Sequence, residues 1–278
     1  MAKVLLLDGN SLTYRAFFAL PTDMATASGQ VTNAVFGFTS MLLNLARDQQ
    51  PDGIVVAFDR PEPTFRHHMI PEYKAQREPT PDLLIQQFGL VRDVLEALRV
   101  PAVDVVGFEA DDVLGTLSDK ASKAGMNSLI YTCDLDLLQV LDENTEVEVF
   151  SQYRETRTFD IASATRRFNG IGPLNIPDLK ALMGDRSDNL PGVPGIGERS
   201  ATAILAETRD IETMYADLEQ VARLPIRGSK RIFRILSEHK DDAFLMKRLA
   251  TIVRDVPIDI DVSGADVRSF DLEVLETV

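Results

Sequence analysis

The chain is poor in the residues that build disulfides and soft-metal centres. Cys133 is its single cysteine, and His67, His68 and His239 are its three histidines. One cysteine excludes an internal disulfide and suits a reducing cytoplasm. It also excludes zinc held by Cys clusters, and the histidines show no ligand spacing. No apolar stretch approaches the roughly 20 residues of a membrane span. The N-terminus, MAKVLLLDGNSL, turns acidic too soon for a signal peptide. Positive charge is scarce: 29 Lys and Arg against 43 Asp and Glu give a net charge of −14. Evenly spread, that balance argues against a nucleic-acid partner. The spread is uneven, because basic residues bunch from Arg60 to Arg77 and from Arg223 to Arg234.

Carboxylates are what the chain has in quantity, and their placement is ordered. Four acidic segments sit where an apolar run stops: Asp8 in KVLLLDGN, Asp59 in IVVAFDR, Glu109 with Asp111 and Asp112 in VVGFEADD, and Asp134 with Asp136 in SLIYTCDLD. Asp185 and Asp188 form a fifth in LMGDRSDN. Short runs rich in Val, Ile and Leu read as buried parallel strands, and open parallel sheets bind ligands outside the carboxyl ends of their strands. The acids are therefore expected to converge on one edge. Close carboxylates repel, and oxygen-only donors suit hard divalent cations such as Mg²⁺ or Mn²⁺. A pair of such ions suits chemistry on phosphate, one activating water and one stabilising the leaving oxygen. A helix cap or turn role competes for each Asp taken singly, on even terms for Asp8 and as the stronger reading for Asp112.

Strands are expected near 3–7, 54–58, 103–106, 128–132 and 146–150, alternating with helical patterns, which makes an α/β parallel-sheet domain over residues 1–176. The insertion RPEPTFRHHMIPEYKAQREPTPD breaks the alternation. It is proline-rich, basic and aromatic, so it is either a solvated loop or a surface for a phosphodiester. From Pro177 the chain reads as helical, with no strong strand signal until near 258. LPGVPGIGERSA lies between two helix patterns. Gly192, Gly195 and Gly197 would expose amide groups at a helix start, where a phosphate can dock; an ordinary glycine-capped joint competes equally. The end, FDLEVLETV, reads as the opening turns of an amphipathic helix, consistent with a piece of a longer chain or with a frayed terminus.

These motifs in this order resemble the bacterial 5′-nuclease family, the flap endonuclease-like module of DNA polymerase I and its free-standing and phage relatives. The matching stretches are LLLDGNSLTYRAFFAL, TNAVFGFTSMLLNL, VAFDRPEPTFRHHMIPEYKAQREPTP, GFEADDVLGTL, TCDLDLLQVL and ALMGDRSDNLPGVPGIGERSA. The resemblance implies a PIN-like nuclease core, a helical arch (about 63–90) and a C-terminal helical DNA-binding region (177–278) containing a helix-three-turn-helix element (about 178–206). It implies hydrolysis of DNA at 5′ flaps or 5′ ends with two divalent ions. Asp8, Asp59 and Asp111 would chiefly hold one ion and Asp134, Asp136 and Asp188 the other. Glu109 would lie near both, with Asp112 and Asp185 close by and partly acting through water. Lys74 and Arg77 would contact the scissile phosphate, and Arg15, Arg66 and Tyr73 would bind DNA, Tyr73 by stacking on a base. Carbonyls around Val193 and Ile196 would hold K⁺. The implied protein is a cytoplasmic monomer with DNA, and a polymerase domain in cis or in trans, as partners. One loop departs from the family pattern: Thr132-Cys133-Asp134-Leu135-Asp136 has Cys for the usual Gly and Leu for a basic residue. A DNA-binding module without catalysis is the competing reading, and a PIN-type ribonuclease ranks below it because it leaves the glycine turn and the insertion unexplained.

Overall fold

The computed structural model describes residues 1–151 and 156–271. Six strands form one sheet in the order β3-β2-β1-β4-β5-β6. They are β1 (Lys3–Asp8), β2 (Gly53–Ala57), β3 (Ala102–Val103), β4 (Asn127–Thr132), β5 (Thr145–Phe150) and β6 (Thr156–Phe159). All neighbours pair in parallel except β5 with β6. Alternate residues of the central strands face opposite layers. Val4, Leu6, Val55, Ala57 and Ile130 pack with helix α5 (Ala110–Lys123), while Leu5, Leu7, Ile54, Val56 and Leu129 face the other layer. That second layer holds α1 (Gly9–Ala19), α2 (Asn33–Gln49) and α4 (Asp82–Ala97). Burial on both faces explains why these strands are continuously apolar rather than alternating.

The expected strand at 103–106 shrinks to two residues. Asp104 turns away to pair with Arg60 and Arg92, and the chain folds back at Gly107, whose φ is +86°. The edge strand β6 carries too little apolar pattern to have been expected. The segment near 258 is no strand: Pro257 offers no N–H to a ladder, and the residues line a small cleft beside Ala102–Val105. The helix expected from FDLEVLETV falls on residues beyond 271, outside the described residues.

Beyond the sheet lie α3 (Phe65–Met69), α6 (Ile161–Arg167), α7 (Ile176–Met183), α8 (Glu198–Thr208), α9 (Ile211–Ala216), α10 (Glu219–Arg223), α11 (Ser229–Glu238), α12 (Lys240–Ala250) and α13 (Ala265–Arg268). Helices α7 to α12 share their own apolar core, which includes Leu179, Ile204, Met214, Leu236 and Met246. After α12 the chain returns to the sheet, where Ile252, Val256, Ile258 and Val262 join the core under α5. The segment from Ile252 to Val262 therefore belongs by packing to the core of the sheet rather than to that of the helices.

Candidate active site

Sheet topology places the acids. The chain runs outward from β1 through β2 to β3, then crosses to the far side of β1 as β4, so the strand order reverses between β1 and β4. Such a switch point opens a crevice at the carboxyl edge. Asp8 ends β1 and caps α1, accepting the Ser11 N–H at 2.9 Å and the Ser11 hydroxyl at 2.5 Å. Thr132, at the end of β4, donates its hydroxyl to Asp8 at 2.7 Å. Asp59 follows β2 and accepts the Ala110 N–H at 2.7 Å. Glu109 caps α5, and Asp111 lies in its first turn. Asp134 caps the 3₁₀ turn Leu135–Val140 and accepts the Asp136 N–H at 2.8 Å.

The remaining acids arrive on a tight loop after α7. Asp185 and Leu190 exchange backbone hydrogen bonds at 2.8 and 2.7 Å. Gly192 closes the loop with φ +64°, and a Cβ there would lie 2.2 Å from the Gly184 nitrogen, so only glycine fits. The loop brings oxygens of Asp136, Asp185 and Asp188 within 4.8 Å of one another. The segment between α3 and α4 lies across it as a strap. The Lys74 N–H donates to the Asp188 carbonyl at 3.1 Å, and Asn189 Nδ2 to the Glu72 carbonyl at 2.7 Å. Lys74 Nζ is 2.9 Å from Glu109, and Arg77 Nη2 is 2.8 Å from Asp188. Lys180 of α7, almost fully buried, bridges Asp136 and Asp185.

Charge is not balanced evenly across this edge. Burial pushes Asp8 upward, against hydrogen bonds from Ser11 and Thr132, and Asp134 adds repulsion. Asp111 is raised well above the usual carboxylate range, by burial first and then by Asp134 and Asp8. Asp136 is pushed up to about 7 by burial and Asp134, with Lys180 opposing. Loss of water around its carboxyl, then Glu109 and Asp8, raise Asp59 to about 6, though much of that residue faces solvent, which screens the push. Burial also acts upward on Asp185, but Lys180 and Ser187 overcome it and hold this carboxyl below the usual range. Crowded carboxylates that are driven toward protonation form a site built to receive positive charge.

Two sequence expectations, Arg66 and Tyr73 toward DNA, are corrected by position, and for Asp112 the cap role is found in place of ion binding. Asp112 is fully buried, with its oxygens taken by Arg66 at 2.7 and 2.8 Å, the Val253 N–H at 2.8 Å and the Glu109 N–H at 3.1 Å, so it has nothing left for an ion. Arg66 faces inward rather than toward DNA. Beyond Asp112 it donates to the Leu249 and Thr251 carbonyls at 2.8 and 2.9 Å. Tyr73 is buried too, its hydroxyl 3.0 Å from both Glu109 and Asp188, where one proton serves two carboxylates and no ring face is open to a base. Arg15 is half-buried above the Phe150 ring, 4.6 Å from its centroid. Gly195 and Gly197 are exposed on the turn before α8, Gly192 is tucked beneath it, and the Val193 and Ile196 side chains point into the helical core. Lys180 and Ser11 went unremarked in the sequence, and Thr132 was noted only as the start of the departing loop. The one available signal was a lysine within IPDLKALM, a stretch apolar but for Asp178.

Two family descriptions match this chain. "5′-3′ exonuclease, N-terminal resolvase-like domain" covers residues 3–169, and "5′-3′ exonuclease, C-terminal SAM fold" covers residues 171–273. The chain belongs to the 5′-3′ exonuclease family. Similar curated relatives include DNA polymerase I of Bacillus subtilis (strain 168), 38% identical over 98% of this chain, and that of Pseudomonas aeruginosa, 42% identical over 94%. The chain spans only 30% and 28% of the lengths of these relatives. Among solved structures, the phage T5 flap endonuclease with DNA and metal ions shares the family fold. Its TM-score is 0.70 at 23% identity, covering 96% of this chain and 95% of that one. The catalytic core of Rad2 with DNA gives 0.59 at 18% identity, covering 99% and 85%.

Proposed function

We propose that this chain is a structure-selective 5′ nuclease that hydrolyses DNA phosphodiesters at 5′ flaps or 5′ ends, as in primer or flap removal during replication and repair. The observation that carries this is the grouping of Asp136, Asp185 and Asp188 within 4.8 Å of one another, beside Asp8, Asp59, Glu109, Asp111 and Asp134, which are near enough to repel, beneath a cationic strap. The oxygen-only donor set fits two hard divalent ions, Mg²⁺ or Mn²⁺, with Asp8, Asp59 and Asp111 toward one and Asp134, Asp136 and Asp188 toward the other. Bound there, such ions supply an acidified water and positive charge at the leaving oxygen. Lys74 and Arg77 pair with Glu109 and Asp188, and their positive charge would stabilise a phosphate that reaches the strap. Ser11 and Thr132 orient Asp8. The exposed turn at Gly195 and Gly197 receives duplex phosphates through backbone amides, with the carbonyls of Val193 and Ile196 as the K⁺ donors. A polymerase domain, in cis or in trans, is the proposed partner of a monomeric nuclease in the bacterial cytoplasm. The described residues include no helix long and apolar enough to cross a membrane.

A labelled 5′-flap duplex with Mg²⁺ or Mn²⁺ tests the proposal. The expected result is cleavage near the junction, reduced about a thousandfold or more in Asp8→Asn and in Asp136→Asn with DNA binding retained. Full activity in both variants would overturn the two-ion assignment. Binding without products in the unaltered protein would favour a non-catalytic module, for which Cys133 and Leu135 are the only sequence support.

A further inference from the structure

The 3₁₀ turn that carries Asp136 also holds a buried amide that the proposed chemistry does not use. Gln139, only 5% exposed, sits three residues after Asp136 in that turn. A 3₁₀ helix repeats every three residues, so the two side chains leave the same face. Asp136 meets Lys180 of α7 there. Gln139 meets the end of α12 and the chain just beyond it. Its Nε2 donates to the Ala250 carbonyl at 3.1 Å, and its Oε1 accepts the Ile252 N–H at 2.9 Å. One face of the turn is thus fixed twice, by a charge pair to α7 and by a paired amide to the end of α12.

That contact belongs to a larger pattern. After Ala250 the backbone is irregular, so its polar groups have neither a ladder nor a helix to satisfy them. Side chains do so instead. Arg66 takes the carbonyls of Leu249 and Thr251, Asp112 accepts the Val253 N–H at 2.8 Å, and Thr116 accepts the Val256 N–H at 3.1 Å. Asp112 and Thr116 lie on α5, which Glu109 caps and whose first turn carries Asp111. The stretch from Leu249 to Val256 is therefore gripped by both acid-bearing elements, α5 and the 3₁₀ turn. Among the described residues, Gln139 makes the only side-chain hydrogen bonds from the turn to this stretch.

We infer that Gln139 is a positioning residue of the acidic edge. By clasping Ala250 and Ile252 it sets where Asp134 and Asp136 stand relative to Glu109 and Asp111, and with that the affinity of the second ion. This rests on the two-ion reading of the proposed function. The amide suits the task because its donor and its acceptor are both committed, to groups two residues apart on one backbone. A slip of the turn along that backbone breaks both bonds at once. An apolar side chain of the same length would fill the space, hold no register and leave two buried backbone groups unpaired.

The test is Mn²⁺ binding without DNA, read by titration calorimetry on the full chain, well below every thermal midpoint. It compares the unaltered protein with Gln139→Met, which keeps the length and loses both hydrogen bonds. Gln139→Asn keeps the amide but is one methylene too short to reach both groups, and it carries the test should Gln139→Met fail to fold. Val221→Ala, in α10 of the helical core, controls for lost stability. Groups that orient metal ligands from behind change affinity by 10–100-fold when removed. Gln139→Met should therefore weaken the second ion about tenfold or more and Gln139→Asn by less, with the first ion unaffected. On a labelled flap duplex kcat should fall by a similar factor while KM stays unchanged. Two ions held by these variants as tightly as by the unaltered protein overturn this inference and leave the proposed function standing. An equal weakening in Val221→Ala reduces the effect to stability and also overturns it. An unaltered protein that binds no second ion overturns the two-ion reading and this inference with it.

Discussion

The two halves of the acidic edge are held in opposite ways. Asp185, Asp188 and Glu109 each have a cation at hand, in Lys180, Arg77 and Lys74. Asp8, Asp59, Asp111 and Asp134 form no ion pair among the described residues and are kept in place by hydroxyls, backbone amides and helix starts. Asp136 sits at the seam, paired with Lys180 yet repelled by Asp134. The first half is paired within the protein, while the second stores repulsion that a proton or a bound cation relieves. The carboxylates in the second half thus lower the stability of the metal-free protein and raise its affinity for divalent ions.

The largest test of that contrast is Lys180→Met. Removing one partner of a buried ion pair costs about 3–5 kcal/mol, so urea unfolding in EDTA should shift by that amount. The deficit should shrink as Mg²⁺ is added, since a divalent ion can take the place of the lost charge. A loss below about 1 kcal/mol would show that Lys180 is no more than a surface partner.

The next test is pH. Asp8, Asp111 and Asp136 have folded-state values raised above the ordinary 3.8, that of Asp136 to about 7. Between those limits the folded protein binds more protons than the unfolded chain. Stability of the metal-free protein is therefore greatest below the window and is lost as pH rises through it. The slope is on the order of 1.4 kcal/mol per pH unit for each unshared proton. Saturating Mg²⁺ should flatten it, and a metal-free stability that rises from pH 4 to 7 would refute the stored repulsion.

The smallest effect sharpens the other half. Asp111→Asn should stabilise the metal-free protein by about 1 kcal/mol, as relief of like charge does, while weakening divalent-ion binding measured by calorimetry. Stability and metal affinity moving together would break the comparison.

The sheet edge could be read from the sequence because two independent patterns coincide there: apolar runs mark strands, and an acid ends each run. The cations were harder to read. Arg66 and Tyr73 belong to a basic, aromatic insertion, and composition does not separate a guanidinium facing DNA from one buried against Asp112. Lys180 was hidden for the converse reason, since one lysine in an amphipathic helix reads as solvated until the fold places Asp136 and Asp185 beside it. The return of Ile252 to Val262 onto the sheet left no periodic trace, because irregular backbone buries side chains at no fixed spacing.

That return has a consequence for recombination. A gene fragment ending at 176 would encode a sheet missing part of its own floor, with the apolar surface under α5 open to water. A fragment beginning at 177 would carry Ile252, Val256, Ile258 and Val262 without the partner they cover. Exchange of the helices α7–α12 between homologues therefore has a natural crossover on each side, and the residues after Ala250 travel with the sheet.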